Sequence, residues 1–279
     1  MIKPHGADIL KPLFIENSIE RNALLEEAAS LPALILNSAS AANAVMLGAG
    51  YFTPLDGYMN VADTLSVAEK MQTENGLFWP VPCINCTDDI STIEGSSTIA
   101  LLDPNIEGNP VLAIQNIEAI ESLTEAQINL VTEQIFGTLD TGHPGVKTFK
   151  GLGKYLISGP IKVLNYSYFE TDFASTFRTA VQIRNQIQQN NWETVVAFQT
   201  RNPMHRAHEE LCKIAQESIN ADGILIHMLL GRLKPGDIPA DIRDAAIRKM
   251  VELYFPKNTV MVTGYGFDML YAGPREAVL

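Results

Sequence analysis

Two histidines, two arginines and two side-chain amides occur within ten consecutive residues of this chain. The segment 199–208 reads QTRNPMHRAH, so that Gln199, Arg201 and Asn202 precede His205 and His208. A guanidinium can bind two oxygens of one oxyanion, and amide and imidazole N–H groups can donate further hydrogen bonds to it. These residue types predict a site for phosphate or a similar oxyanion. No covalent nucleophile is apparent among them.

The elements around the segment are predicted to be a strand and a helix. The apolar, β-branched run TVVAF at 194–198 indicates a buried strand, and residues 203–217 have a helical pattern. Pro203 suits the first turn of a helix and Asn202 suits its N-cap. Free amides and a partial positive charge would then face the polar residues, which favours anion binding. We expect the helix to pack on the sheet through an apolar face formed by Ala207, Leu211, Ile214 and Ala215.

The spacing of three residues places both histidines on one side of that helix. A lone histidine is more often a core or surface residue, but a pair next to Gln-x-Arg-Asn favours function. A zinc site is the competing interpretation. It is rejected because no third ligand is placed nearby and no Glu lies between the two histidines. The sequence predicts no protein-bound metal.

The second half of the chain alternates between strand and helix patterns. Further strands are expected at 223–230 and 259–264, and a helix with Ile242, Ala246, Met250 and Leu253 on one face lies between them. Before the first strand, a helical face is predicted from Phe173, Phe177, Ala180, Ile183 and Ile187. This alternation indicates a parallel α/β sheet, in which ligands bind beyond the carboxyl ends of the strands.

The first half is predicted to be a strand-rich region with many turns. Its short apolar runs are LPALIL, FWPVPCI, STIALL and PVLAIQ. Residues 117–137 are expected to form one or two helices closed by Gly137, and residues 142–160 to be rich in turns. We place the domain boundary between 167 and 168, which gives domains 1–167 and 168–279.

Three less specific features carry alternatives. Arg232 and Lys234, in GRLKPGD, either face the ligand or form a solvated basic turn. The segment KGLGK at 150–154 lacks the spacing and the Ser/Thr of a Walker motif, so we interpret it as a turn. Cys83 and Cys86 form a single C-x-x-C, which favours structural thiols.

Composition limits the functional class. The chain of 279 residues is 46% hydrophobic, has three cysteines, and contains no apolar run long enough to span a membrane. Its start lacks an apolar signal region, so we expect a cytoplasmic protein in a reducing compartment. Residues 1–159 carry 7 Lys and Arg against 19 Asp and Glu, whereas residues 160–279 carry 13 of each. An acidic first half argues against a nucleic-acid partner.

The motif QTRNPMHRAHEEL resembles the signature of ATP sulfurylases (sulfate adenylyltransferases), with the histidine pair of the wider nucleotidyltransferase superfamily. HMLLGRLKPGDIPADIRDAAI and YAGPREAVL are similar to the next two blocks of that family, and LGAGYFTPLDGYM, FWPVP and GHPGVKTF to its first domain. The resemblance covers essentially the whole chain and is greatest to the sulfur-bacterial type. It implies a β-rich, PUA-like N-terminal domain followed by a Rossmann-like nucleotidyltransferase domain.

The resemblance also implies a reaction. ATP and sulfate give adenosine 5′-phosphosulfate and pyrophosphate reversibly, by in-line attack of sulfate on the α-phosphorus. Gln199 and Arg201 would hold sulfate, and His205 and His208 would hydrogen-bond the phosphates. ATP would also contact the four residues from Gln199 to Asn202. Thr200, Arg201 and Asn202, with both histidines, are the expected catalytic positions. Mg²⁺ is expected to arrive with ATP, with no tightly bound cofactor, and relatives of this type suggest a homodimer.

One departure from the family is expected to matter. The family continues with a Gly-Arg-Asp-His-Ala-Gly block that is absent here, and a helix beginning at Pro274 meets the end of the sequence after one turn. We therefore expect a C-terminally truncated, incomplete catalytic domain that binds ATP poorly and turns over little. Alternatives are a nucleotidyltransferase with another acceptor, a non-catalytic subunit or fragment, and an RNA-binding module suggested by the PUA-like domain.

Overall fold

A computed structural model describes residues 2–279. The part before residue 164 contains five helices and seven strands. The helices are α1 (Ser18–Ala28), α2 (Ser38–Gly48), α3 (Val61–Lys70), α4 (Glu125–Phe136) and α5 (Pro144–Lys150). The strands are β1 (Ala33–Ile35), β2 (Gly57–Tyr58), β3 (Cys86–Thr87), β4 (Thr98–Leu102), β5 (Val111–Asn116), β6 (Ala119–Ser122) and β7 (Tyr155–Val163).

Strand β7 is the centre of the first sheet. It pairs antiparallel with β2, β3, β5 and β6, and the main path runs β1-β4-β5-β7-β2. Gly159 allows this crowding, because it has φ +129° and a Cβ there would lie 2.1 Å from the carbonyl oxygen of Asn116. Only a residue without a side chain fits at such a crossing.

Helix α2 passes through the core of this part. Its residues from Ser40 to Gly48 are all buried. Asn37 caps it by accepting a hydrogen bond from the N–H of Ser40 at 2.8 Å. The sequence analysis missed this helix because a helix buried on every side has no amphipathic period to detect.

The part after residue 168 contains the expected α/β alternation. Its helices are α6 (Phe169–Asp172), α7 (Ala180–Gln189), α8 (Arg206–Ser218), α9 (Ala240–Tyr254) and α10 (Pro274–Val278). Its strands are β8 (Val195–Thr200), β9 (Gly223–Leu229) and β10 (Val260–Tyr265). They form a parallel sheet in the order β10-β9-β8, so the prediction of a parallel sheet is confirmed.

Three predictions of local structure were wrong. Residues 119–122 form β6 rather than a helix, although α4 does end at Gly137, which has φ +70°. Residues 142–160 hold α5 and most of β7 rather than only turns. Phe173 and Phe177 lie outside any long helix; the backbone of Thr176 and Arg178 instead hydrogen-bonds Gly264 of β10. Tertiary pairing overrode the local pattern in each case.

The two parts contact each other through side chains of both. The rings of Phe52 and Phe267 meet edge to face at 5.5 Å. The hydroxyl of Ser38 donates to the carboxylate of Asp268 at 2.6 Å. One hydrophobic core therefore continues from the first sheet into the second. Within residues 2–279, no helix is long and apolar enough to cross a membrane.

Candidate active site

Helix α8, which follows β8, begins later in the chain than the sequence predicted. Strand β8 ends at Thr200, and α8 starts at Arg206 with His205 as its N-cap residue. The prediction of Asn202 as N-cap and Pro203 in the first turn was therefore wrong. The Thr200 hydroxyl instead accepts from the N–H of Asn202 at 3.0 Å and donates to its carbonyl oxygen at 2.9 Å. Residues 201–205 form a loop that is free to present its polar groups.

The histidines His205 and His208 lie together at the N-terminus of α8. Their ring centroids are 4.0 Å apart, and Nδ1 of His208 accepts from the backbone N–H of His205 at 3.3 Å. Burial and the neighbouring His205 lower the pKa of His208 below its ordinary value. His208 is thus neutral at pH 7, with its Nε2 proton available to a ligand oxygen.

Arg201 is held by a carboxylate on the loop after β9. Its Nη1 lies 3.1 Å from Oδ2 of Asp237, and its guanidinium stands 5.2 Å from the ring centre of Tyr271. Lys234 donates to the other oxygen of Asp237 at 2.6 Å. The hydrogen bond and charge of Lys234, together with Arg201, lower the pKa of Asp237. Of the two basic residues left open by the sequence, Lys234 therefore joins the neighbourhood of Arg201.

Gln199 is exposed at the end of β8 and points its amide to the neighbouring strands. Its Nε2 donates to the hydroxyl of Tyr265, the last residue of β10, at 2.6 Å. Tyr265 stacks on His227 of β9 at 4.6 Å between ring centroids. The carboxyl ends of all three strands thus contribute to the region around Gln199.

Several residues of this region were missed by the sequence analysis. Tyr265 and Asp237 contact Gln199 and Arg201 directly, and Arg243 donates to the carbonyl oxygen of Arg201 at 3.1 Å. Tyr265 could have been found from its place at the end of a predicted parallel strand. Asp237 and Arg243 gave no such signal, because their contacts with residue 201 depend on how the loop after β9 folds back.

The buried face of α8 also differs from the prediction. Leu211 and Ile214 are 53% and 60% exposed, whereas Cys212 and Glu209 are 1% and 0% exposed. Glu209 keeps its charge satisfied through Arg206 and Lys213, each at 2.5 Å. The expected apolar face was wrong because α8 packs on the sheet through a row offset by one to two residues.

A cavity of about 490 Å³ lies between the two parts of the molecule. Its walls include Phe136 and Phe149 from the first part and Arg232, Asp268 and Leu270 from the second. None of residues 199–208 lines it. Over residues 2–279, no group of three or more His, Cys, Asp or Glu side chains is placed to hold a metal ion.

The YAGPREA segment is occupied by structural contacts. Arg275 donates to the carbonyl oxygens of Val67, Ala68 and Pro80, at 3.1, 2.8 and 3.2 Å. Glu276 accepts from the N–H of Leu270 at 2.8 Å. These contacts attach α10 to the first part of the molecule, whereas Tyr271, the first residue of the motif, lies beside Arg201 and Asp237.

Two family models match the two parts of the chain. The model of the ATP-sulfurylase family matches residues 174–279, and that of the PUA-like domain matches residues 2–166. The structure of a hexameric APS kinase from Thiobacillus denitrificans superposes on the whole chain and on 49% of its own length, with TM-score 0.76 and 23% identity. At that identity the likeness shows the fold alone.

Curated relatives match the whole chain. The sulfate adenylyltransferases of Alcanivorax borkumensis and Allochromatium vinosum are 63% and 62% identical over all 279 residues, which make up 70% of each relative. That of the Riftia pachyptila sulfur-oxidizing endosymbiont is 57% identical, and the chain covers 63% of it. The fold is thus a PUA-like domain followed by a nucleotidyltransferase-like α/β domain. This chain belongs to the sulfate adenylyltransferase family.

Proposed function

We propose that the turn after β8 is where sulfate and ATP meet. The observation that carries this is the convergence of Gln199, Arg201 and the pair His205–His208 at the carboxyl edge of a parallel sheet. Ligands bind at that edge in such folds. A sulfate oxygen forms a bond to the α-phosphorus as the bond from that phosphorus to the pyrophosphate oxygen breaks. Products are adenosine 5′-phosphosulfate and pyrophosphate, and the reaction is reversible.

Sulfate is a weak nucleophile and both reactants are anions, so rate enhancement must come from positioning and charge neutralisation. Arg201 exchanges part of its contact with Asp237 for two sulfate oxygens, and Gln199 donates the second N–H of its amide. The Thr200 hydroxyl keeps Asn202 in place and thereby shapes the turn against ATP.

The histidines serve the phosphates. His208 is neutral because its pKa is lowered, so it donates one hydrogen bond from Nε2 without needing a prior proton. His205 lies beside it at the start of α8, where the helix N-terminus favours negative charge. Together they stabilise the negative charge that develops on the leaving pyrophosphate oxygen.

ATP is used by this family with a divalent metal, and we propose Mg²⁺ as that ion. Bound through the phosphate oxygens of ATP, the ion would neutralise charge on the triphosphate. No tightly bound cofactor is proposed.

Three broader proposals accompany the site. We propose the domain boundary between 167 and 168, and the gap between the end of β7 at Val163 and the start of α6 at Phe169 supports it. A cytoplasmic location accords with three free cysteines, all buried. A homodimer is proposed from the resemblance to the sulfur-bacterial type, and sedimentation equilibrium tests it.

The experiment is pyrophosphate release from ATP in the presence of sulfate. It is run on this chain and on an extended form, in which the parts of the Alcanivorax borkumensis relative outside the matched 70% are fused to it. We expect the extended form to be the more active. Equal activity contradicts the expectation of truncation, and no sulfate-dependent release from either form contradicts the proposed function.

Substitutions in the extended form test the site. Arg201→Ala and His208→Ala should each lower kcat/KM by about 100-fold or more, because each removes a group that offsets charge in the transition state. Lys249→Ala is the control, since its side chain is 61% exposed and its ion pair is with Glu252, which is 67% exposed. Loss of activity in the control comparable to that of Arg201→Ala would count against the assignment. Molybdate-dependent AMP formation separates a sulfate acceptor site from that of another nucleotidyltransferase.

A further inference from the structure

Arg243 of α9 is a charged side chain sealed inside the protein. It is 1% exposed, and its Nη1 donates to the carbonyl oxygens of Leu229 at 2.7 Å and of Arg201 at 3.1 Å. Leu229 is the last residue of β9, and Arg201 is the first residue after β8. The guanidinium therefore joins the carboxyl ends of two adjacent parallel strands, directly behind the turn that carries the site.

The charge of Arg243 has no direct counter-ion in the chain. Among residues 2–279, no carboxylate oxygen lies within 4.0 Å of it. Asp237, an acidic group near it, is already shared by Arg201 and Lys234. In addition, Nε of Arg243 is buried and has no hydrogen-bond partner. Burial of an unpaired charge and of an unpaired donor is unfavourable, so folding alone does not explain this residue.

The surroundings of Arg243 are arranged for a bound anion. Asp237 and Asp241 are near Arg243 without pairing with it, and Asp237 is paired with Arg201 and Lys234 instead. The carbonyl oxygens that Arg243 holds lie at the edge of the sheet where ligands of parallel sheets bind. Low local polarity strengthens the attraction between a buried cation and an anion placed nearby. Burial also lowers the pKa of Arg243, which agrees with a charge that the apo chain solvates poorly.

We propose that Arg243 is a positioning residue for the oxyanion site, fixing the backbone of Arg201 from behind and supplying a buried positive charge that a bound substrate anion compensates. The proposal rests on the proposed function for the identity of that anion. It predicts that anion binding and Arg243 are energetically coupled, whereas a purely structural arginine contributes equally with and without the anion.

Thermal unfolding of the extended form measures this coupling. Sulfate is titrated at constant ionic strength against chloride, and the rise of Tm with concentration gives an apparent Kd. Arg243→Met removes the charge but keeps much of the length, and we expect it to raise the apparent Kd for sulfate by about tenfold or more. In the active enzyme the same variant should raise KM for sulfate by a similar factor.

Arg248, 1.4 turns further along α9, provides the matched control. It is paired with Asp244 at 3.0 Å and donates to Ser175 and Thr176, away from the turn after β8. Arg248→Met should lower Tm but leave the sulfate-dependent rise unchanged. Since sulfate stabilises proteins in general by exclusion from their surface, the rise that persists in every variant is subtracted.

Arg243→Lys covers the case in which the methionine variant does not fold. A lysine keeps the charge but cannot hold both carbonyls with one planar group, so we expect a partial increase of the apparent Kd, about threefold. A sulfate response equal to that of the wild type in the variant that folds overturns the proposal, as does a wild type with no sulfate response. Sulfate binding without pyrophosphate release would contradict the proposed function and leave the role of Arg243 standing.

Discussion

His227 is enclosed by aromatic rings at the centre of the second sheet. Tyr51 and Tyr265 lie 5.4 and 4.6 Å from its ring centroid, and its Nδ1 is 2.8 Å from the hydroxyl oxygen of Thr263. Burial lowers its pKa from 6.5 to about 4. The ring is therefore neutral at pH 7, and it supports Tyr265, which in turn contacts Gln199.

This shift makes the stability of the protein pH-dependent. Because the pKa of His227 is lower in the folded than in the unfolded chain, its contribution is present above pH 6.5 and is lost as the pH falls towards 4. The free energy of unfolding should decrease by about 2 kcal/mol between pH 7 and pH 5 from this residue. Urea unfolding at both pH values measures it, and His227→Gln should remove that part of the difference. An identical decrease in the variant would show that other groups cause it.

The sequence predicted the segment that carries the polar residues after β8, but not the residues from other segments that contact it. The segment from Gln199 to His208 could be identified because chemically distinctive side chains are adjacent in the sequence. Asp237, Arg243 and Tyr265 lie 36 to 66 residues away from their partners Arg201 and Gln199. Nothing in the local sequence around an isolated Asp, Arg or Tyr reveals a contact at such separation.

At the level of elements, periodic segments were predicted well and buried or paired segments were not. Strands β8, β9 and β10 each contain an apolar run, as strands of a parallel sheet are expected to. Helix α2 lacks a polar face, and β6 carries a helix-like pattern but pairs with β7. The packed face of α8 was assigned to its apolar side, Ala207, Leu211, Ile214 and Ala215, although burial is decided by where the helix axis lies on the sheet.

The register of α8 can be tested by substitution. Leu211→Gln and Ile214→Gln should each change the free energy of unfolding by less than about 0.5 kcal/mol, because both side chains are largely exposed. Cys212→Ser should lower it by about 1–3 kcal/mol, because it places a hydroxyl in a buried apolar position. Equilibrium urea unfolding gives the ranking. The reverse order would support the face predicted from the sequence.

At the level of the whole molecule, Arg275 joins the second part of the chain to the first. Its three acceptors lie on the last turns of α3 and on Pro80, and a cation is favourable at a helix C-terminus. The hydroxyl of Tyr51 likewise donates to the carbonyl oxygen of Arg178 at 2.6 Å. These contacts predict that both parts unfold together.

The two tryptophans allow that prediction to be measured. Trp79 lies in the first part and Trp192 in the second, so that Trp79→Phe and Trp192→Phe each leave one probe. Urea midpoints from the two probes should coincide. Arg275→Met should lower the free energy of unfolding by about 2–4 kcal/mol and separate the midpoints, since it removes charge-assisted bonds between the parts. Arg184→Met, which removes one exposed bond to Ile2, is the control. Coincident midpoints in Arg275→Met would show that other contacts maintain the coupling.

Strand β8 is paired on one side only among residues 2–279. Thr194 accepts from the N–H of Asp222 of the neighbouring chain segment, so by alternation the amides and carbonyls of Val195, Ala197 and Gln199 are directed outward. A polypeptide that extended the sheet in parallel at this rim would finish beside Gln199. A segment that paired with this edge would therefore also lie against the site proposed for sulfate.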